Sequence, residues 1–126
     1  MATIEKFEDL EVWKHGMLLC SIIYDFTSNS KFANDYALKD QIRKSAISIP
    51  SNISEGFERE SKNQFIYFLM IAKGSCGELR TQLKIAKSLN YLNENEYEKA
   101  LESCLSVSKQ LKGFIKYLKE HKSINI

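Results

Sequence analysis

Residues 41–59 carry two parallel stripes that a helix alone can hold in phase. Ile42, Ala46, Ile49, Ile53 and Gly56/Phe57 recur at steps of three and four, one apolar face of an α-helix. Gln41, Ser45, Ser48, Asn52, Glu55 and Arg59 recur at the same steps and form a polar face beside it. Both stripes pass through Pro50. Proline lacks an N–H and ordinarily ends a helix at the residue before it. A phase kept across it predicts one kinked helix rather than two elements. The ring leaves the Ala46 carbonyl without its usual donor, and a water or a nearby Ser hydroxyl is the expected replacement. The polar stripe carries Ser, Ser and Asn where a solvated helix carries Lys and Glu. Small neutral polar residues suit a seam between helices or subunits.

The rest of the chain repeats the helical period, and no segment alternates as a strand does. Residues 1–8 read as a short arm, with Asp9 as the expected cap of the first helix. Val12, Gly16, Leu19 and Ile23 give that helix one stripe; Trp13, Met17, Cys20 and Tyr24 give it a second. The breaker-rich residues 28–34 read as a loop, and Asp35 caps the second helix. Ser61, with Gln64 three residues on, predicts a capping box for the third. Phe65, Ile66, Tyr67, Phe68, Leu69, Met70, Ile71 and Ala72 open that helix apolar on every side. A helix apolar all round is buried all round, so a second subunit is expected over Phe65, Ile66, Tyr67, Phe68 and Met70. Ser48, Asn52 and Glu55 are candidates for the same interface. Gly74 and Gly77 weaken a helix by about 1 kcal/mol each relative to Ala, and close approach of a neighbouring backbone is the expected return. Tyr91-Leu92-Asn93 turns, and Glu94 and Glu96 favour the start of the fourth helix. There Tyr97, Leu101, Cys104, Ser108, Leu111, Ile115 and Leu118 form one seam. Helices over about 10–28, 35–59, 62–90 and 94–120, joined by short connections, predict an all-α, antiparallel up-down-up-down four-helix bundle in a single domain over 1–126.

Composition narrows the function classes. One Pro and five Gly are too few for a β-sandwich or a disordered chain. The longest apolar run, Phe65 to Ala72, falls far short of the roughly 18 residues of a membrane span, and no signal peptide is evident. The expectation is a soluble, cytoplasmic protein. Cys20, Cys76 and Cys104 lack CxxC spacing and read as small buried hydrophobes. His15 and His121 stand alone as surface residues, so no metal site is expected. No glycine-rich phosphate loop appears, since Gly74-Ser75-Cys76-Gly77 lies inside a helical period. No Ser or Cys has a His at nucleophile–base spacing. The sequence predicts no catalytic residue, no cofactor and no small-molecule substrate.

Charge is uneven. Residues 1–60 hold 7 Lys/Arg and 10 Asp/Glu, whereas residues 61–126 hold 11 and 6. Lys73, Arg80, Lys84 and Lys87 share one narrow sector of the third helix. Lys109, Lys112, Lys116 and Lys119 do the same on the fourth. Such stripes can track phosphates, with Arg43, Lys44 and Arg59 as further candidates. Base stacking has little support, because only Tyr117 interleaves with the stripes.

Ser48-Ile49-Pro50-Ser51-Asn52-Ile53-Ser54-Glu55-Gly56-Phe57 resembles the "SIPSNIAEGF" signature of the 23S rRNA intervening-sequence proteins. Phe7-Glu8-Asp9-Leu10-Glu11-Val12-Trp13 is similar to the family's opening. Gln41-Ile42-Arg43-Lys44-Ser45 is similar to its "QIRRSA" lead-in, and Ala72-Lys73-Gly74-Ser75-Cys76-Gly77-Glu78-Leu79 to "AxGSxxEL". The resemblance covers about residues 5–118, in order. Ser54 stands where Ala is usual, and Cys76-Gly77 replaces bulkier residues. The resemblance implies a small bacterial four-helix bundle. A similar bundle, the accessory protein of diversity-generating retroelements, forms a pentameric barrel and binds nucleic acid. By resemblance, then, the chain is expected to be a non-enzymatic homo-oligomer, a pentamer, binding structured RNA or DNA through phosphates. The rival expectation is an assembly module that binds protein alone.

Overall fold

In the computed structural model, which describes residues 4–121, four long helices pack as an up-down-up-down bundle. They are α1 (Glu11–Thr27), α3 (Tyr36–Glu58), α4 (Lys62–Ser88) and α5 (Glu94–Glu120). A one-turn helix α2 (Ser30–Ala33) joins α1 to α3, and a 3-10 turn (Phe7–Asp9) precedes α1. The residues expected to form a plain loop thus include a helical turn, started by the Asn29 side chain, which accepts from Phe32 N–H at 2.9 Å. Its Phe32 is fully buried, so the turn plugs one end of the core.

Each long helix packs closely against its two neighbours in the ring α1–α3–α4–α5, and the backbones of the diagonal pairs, α1 with α4 and α3 with α5, lie farther apart. Ile23, Ile49, Ile53, Leu69, Leu79, Leu83 and Leu111 fill the centre with no exposure. At one end, edge-on aromatic contacts run from Trp13 to Phe7, Phe57, Phe65 and Phe114 and so tie all four long helices together.

The ends of the helices show which caps the sequence signals. Asp35 caps α3 by accepting from Leu38 N–H at 3.1 Å, and its other oxygen accepts from Tyr91 OH at 3.0 Å. One carboxylate therefore starts α3 and holds the α4–α5 turn. Asp9 is not a cap: it lies inside the 3-10 turn, and Leu10 precedes α1 with no side-chain cap bond. Ser61 accepts from Gln64 N–H, but the Gln64 amide turns to Arg59, so the box at α4 is only half formed. The complete box lies at α5, where Asn93 accepts from Glu96 N–H at 2.8 Å and Glu96 accepts from Asn93 N–H at 3.0 Å. Glu60 and Asn90 close α3 and α4 at φ 54° and 61°, the left-handed region that Asn tolerates better than Glu.

The helix α3 runs through Pro50 without interruption. The Ala46 carbonyl is met not by a serine hydroxyl but by the Cys20 thiol of α1, which donates to it at 3.1 Å. Close backbone approach occurs at Gly56, where an added Cβ would lie 2.7 Å from Phe68 Cβ and 3.3 Å from Phe65 Cα. Gly74 and Gly77 have open space above them within this chain, so the expected close neighbour is not supplied by the protomer.

Candidate functional site

The two cationic stripes lie along the same seam. Arg80, Lys84, Gly77 and Thr81 of α4 line a shallow hollow with Tyr97, Leu101 and Leu105 of α5. Lys109, Lys112, Lys116 and Lys119 continue the Leu101–Leu105 side of α5 at helical spacing, and Lys73 continues the α4 side. The register between the helices is fixed at three points. Cys104 donates to the Cys76 carbonyl at 3.4 Å, the Phe65 and Phe114 rings meet at 5.4 Å, and Lys62 donates to the His121 carbonyl. Because the helices are antiparallel, the α4 cations run from mid-bundle toward the α4–α5 turn, and the α5 cations run from mid-bundle the other way. At a rise of about 1.5 Å per residue, the joined stripe is roughly 40 Å long.

Its two ends differ electrostatically. The ion pairs among the described residues are Lys14–Glu11, Arg59–Glu55 and Lys87–Glu94. Lys73, Arg80, Lys84 and the four α5 lysines therefore have no carboxylate of the described residues within salt-bridge reach. Lys87 is engaged: it meets Glu94 at 3.0 Å and sits over the Tyr97 ring at 4.4 Å. The hydrogen bond from Lys87 holds the Glu94 carboxyl below its ordinary range, and the same bond raises the Lys87 ammonium. Beneath the stripe the Cys76 and Cys104 thiols are fully buried. A hydrogen bond from Cys104 lowers Cys76, helped by the Lys73 and Arg80 charges. The same contact and burial push Cys104 far up.

The remaining candidate cations sit elsewhere. Arg43 donates to Thr27 Oγ1 at 2.7 Å and lies 4.3 Å from the Tyr24 ring centre, at the α1/α3 seam on the opposite side of the bundle. Arg59 is held by Glu55 and Gln64 and lies over Phe68, at the α3/α4 turn. Lys44 is exposed on α3. None of these three joins the α4/α5 stripe. Tyr117 stacks on His121 at 4.0 Å rather than standing among the lysines.

The polar stripe of α3 lies against α4. Ser48 and Ser75 hydroxyls meet at 2.8 Å, and Asn52 donates to the Ser48 carbonyl at 2.7 Å and to its hydroxyl at 2.8 Å. Ser45 and Ser75 are buried there. The stripe is thus an internal helix seam, with Glu55 exposed at its edge. Phe65 is 3% exposed and belongs to the protomer's own core, so it is not free to meet a second subunit. Ile66 and Phe68 are half-buried, whereas Tyr67 and Met70 are 60% and 52% exposed.

The sequence pattern of the 23S rRNA-intervening sequence proteins matches residues 8–113, which take in α1, α3, α4 and most of α5. The chain belongs to that family. Among solved structures, a protein of unknown function from the S23 ribosomal protein family of Bacteroides thetaiotaomicron shares the fold, with a TM-score of 0.77 and 26% identity. The match covers 83% of this chain and 98% of that one. None of the curated proteins matches. In this 23S rRNA-intervening sequence protein, the family-like Ser48–Phe57 stretch performs two structural tasks. Its polar side makes the α3/α4 seam, and its Gly56 lets α4 approach closely. Among the described residues, no three His, Cys, Asp or Glu side chains cluster to hold a metal ion, and no helix is long and apolar enough to cross a membrane.

Proposed function

We propose that this protein is a non-enzymatic, oligomeric bundle that binds structured RNA or DNA in the cytoplasm through phosphate contacts. One observation carries the reading: seven cations with no carboxylate partner among the described residues line a single face of α4 and α5. A cationic line about 40 Å long matches a run of phosphates rather than a small anion. Of the rings beside the stripe, Tyr97 is buried beneath Lys87 and Tyr117 stacks on His121, which favours contact with the backbone of a folded nucleic acid over stacking with single-stranded bases. The exposed Tyr67 and Met70 support self-association, and the family resemblance makes the expected oligomer a pentamer.

A gel-shift series in rising salt tests the nucleic-acid part, with duplex RNA and duplex DNA as probes. Binding through the stripe gives log K falling linearly with log salt, by roughly 0.7 to 0.9 per phosphate contact. No shift at low salt with either probe rejects it and favours the assembly module that binds protein alone.

A further inference from the structure

The α4/α5 seam holds two thiols that take no part in the cationic stripe above them. Cys76 and Cys104 are 28 residues apart in the chain, and both are fully enclosed. The Cys104 thiol donates to the Cys76 carbonyl at 3.4 Å and lies in hydrogen-bond contact with the Cys76 thiol. Their level is fixed from both sides. The Phe65–Phe114 ring contact lies toward one end of the seam and the Lys87–Glu94 ion pair toward the other, with the cysteines about midway between them on each helix. Ala72 and Ala100, one turn before each cysteine, are also fully buried and let the helices pack closely. Two cysteines at one level of neighbouring helices, with their side chains converging, satisfy the main geometric demand of a disulfide.

The surroundings make the two sulfurs unequal and give a small oxidant a way in. Lys73 and Arg80 stand one turn to either side of Cys76, with no carboxylate partner among the described residues. The Cys104 hydrogen bond lowers the Cys76 thiol and those two charges help, whereas Cys104 is pushed far up. The thiolate is the nucleophilic form, so Cys76 is the sulfur that attacks. A hollow of about 370 Å³ opens over the seam, lined by Gly77 and Arg80 of α4 and Leu101 and Leu105 of α5 among others. Gly77 directly follows Cys76, and Leu105 directly follows Cys104. Gly74 and Gly77 weaken α4 on both sides of Cys76, so the helix opens locally most easily there. Cys20 lies at a different seam, where it donates to the Ala46 carbonyl and burial pushes its thiol up to about 11.

We propose that Cys76 and Cys104 form a redox modification site, a dithiol that hydrogen peroxide converts to a disulfide clamping α4 to α5. The Cys76 sulfur, its proton given to water, attacks one peroxide oxygen. The O–O bond breaks, and the departing hydroxide takes up a proton and leaves as water. Cys76 is then a sulfenic acid, oxidised by two electrons. The Cys104 sulfur attacks it, the S–S bond forms as the S–O bond breaks, and the Cys104 proton leaves with the hydroxide as a second water. Two thiols and one peroxide thus give one disulfide and two waters. In a reducing compartment the bond is transient, and cellular thiols return it to the dithiol by exchange. It fixes the register of the two cationic half-stripes above it, and it forms whether or not those stripes bind nucleic acid.

The test exposes the full folded chain to hydrogen peroxide, then denatures it, alkylates it and reads its intact mass. The chain has three free cysteines, so the reduced protein takes three alkyl groups and the oxidised protein takes one. Proteolysis of the oxidised protein should yield two peptides joined through Cys76 and Cys104, which dithiothreitol separates. Loss of Cys20 ahead of the pair, or disulfides between chains, overturns the proposal. So do three alkyl groups after an exposure that oxidises free glutathione completely. Cys104→Ala then removes the second sulfur, and Cys76 should stop at a sulfenic acid that dimedone labels. Cys76→Ala should leave Cys104 unlabelled. Dimedone label on Cys104 instead of Cys76 overturns the order of attack. If either variant loses helix content by circular dichroism, the order is read in the parent, with dimedone present during oxidation and the same two outcomes.

Discussion

The Cys20 thiol donates to the Ala46 carbonyl at 3.1 Å across the α1/α3 seam, and Ala46 is the residue whose carbonyl Pro50 leaves without an N–H. The contact repairs the helix where the ring breaks its ladder. Burial pushes the thiol up to about 11, so Cys20 stays protonated and able to donate at neutral pH. Leaving a buried carbonyl unpaired costs about 1 to 3 kcal/mol. Cys20→Ala should therefore lower stability in that range by urea denaturation at fixed protein concentration. In a Pro50→Ala background residue 50 regains an N–H for the same carbonyl, and the Cys20→Ala cost should shrink. Equal costs in the two backgrounds would show that Cys20 matters only as packing.

Three turn and helix positions separate a glycine that is required from residues that are not. Gly56→Ala places a Cβ 2.7 Å from Phe68 Cβ and 3.3 Å from the Phe65 backbone, and overpacking of this kind costs about 1 to 3 kcal/mol. Gly113→Ala on α5 meets nothing within 4 Å and should stabilise by up to about 1 kcal/mol through helix propensity. Glu60→Gly relieves a left-handed residue at φ 54° and should add a few tenths to about 1 kcal/mol, less the entropy glycine gives the unfolded chain. Melting temperatures that fall for Gly56→Ala and rise for the other two are the expected result.

The Lys87–Glu94 pair sets a pH dependence with a definite sign. Glu94 is held low in the folded chain, so its contribution is present above the unfolded carboxylate value of about 4.3 and fades as pH falls through the folded one. Lys87 is raised, so its contribution is present below its unfolded value of about 10.4 and fades as pH rises through the folded one. Both side chains are exposed, and the effect is small. Glu94→Gln should melt slightly below the parent near neutral pH, with the gap closing in acid. A gap that persists in acid would place the cost in lost packing rather than charge.

The bundle was legible because its cores repeat at three and four residues, and the Asp35 cap because an acid stands before an apolar period. Other features depend on long-range contacts. Cys20 and Ala46 are 26 residues apart, and no local spacing links them. The box at α5 was present in the sequence as Asn93-Glu94-Asn95-Glu96, but Asn93 reads equally as the end of a turn. Periodicity assigns Lys84 and Lys116 to a sector of their own helices without saying which neighbour each sector faces. That the two stripes share the α4/α5 seam, while Arg43 lies across the bundle, follows only from the ring order of the helices. Gly74 and Gly77 were expected to touch a backbone, but the chain's own fold leaves them uncovered.

The two halves of the cationic stripe should not be equivalent. Lys109, Lys112, Lys116 and Lys119 have no carboxylate partner among the described residues, whereas on α4 Lys87 is already neutralised by Glu94. A phosphate meeting Lys87 must compete with that carboxylate. Replacing the four α5 lysines by Gln should therefore reduce the salt slope by about four contacts' worth, each roughly 0.7 to 0.9, and replacing Lys73, Arg80, Lys84 and Lys87 by about three. Both losses should be alike for unrelated sequences, since phosphates carry no base information. Helix content and solution mass should stay parental, because exposed charges contribute only about 0 to 1 kcal/mol each. Glu94→Gln should act in the opposite direction, releasing Lys87 and steepening the slope toward one additional contact. Gel shifts of the parent and the three variants in one salt series measure all four slopes. Parental binding by both quadruple variants would make the stripe a plain solvated face and leave self-assembly as the protein's function.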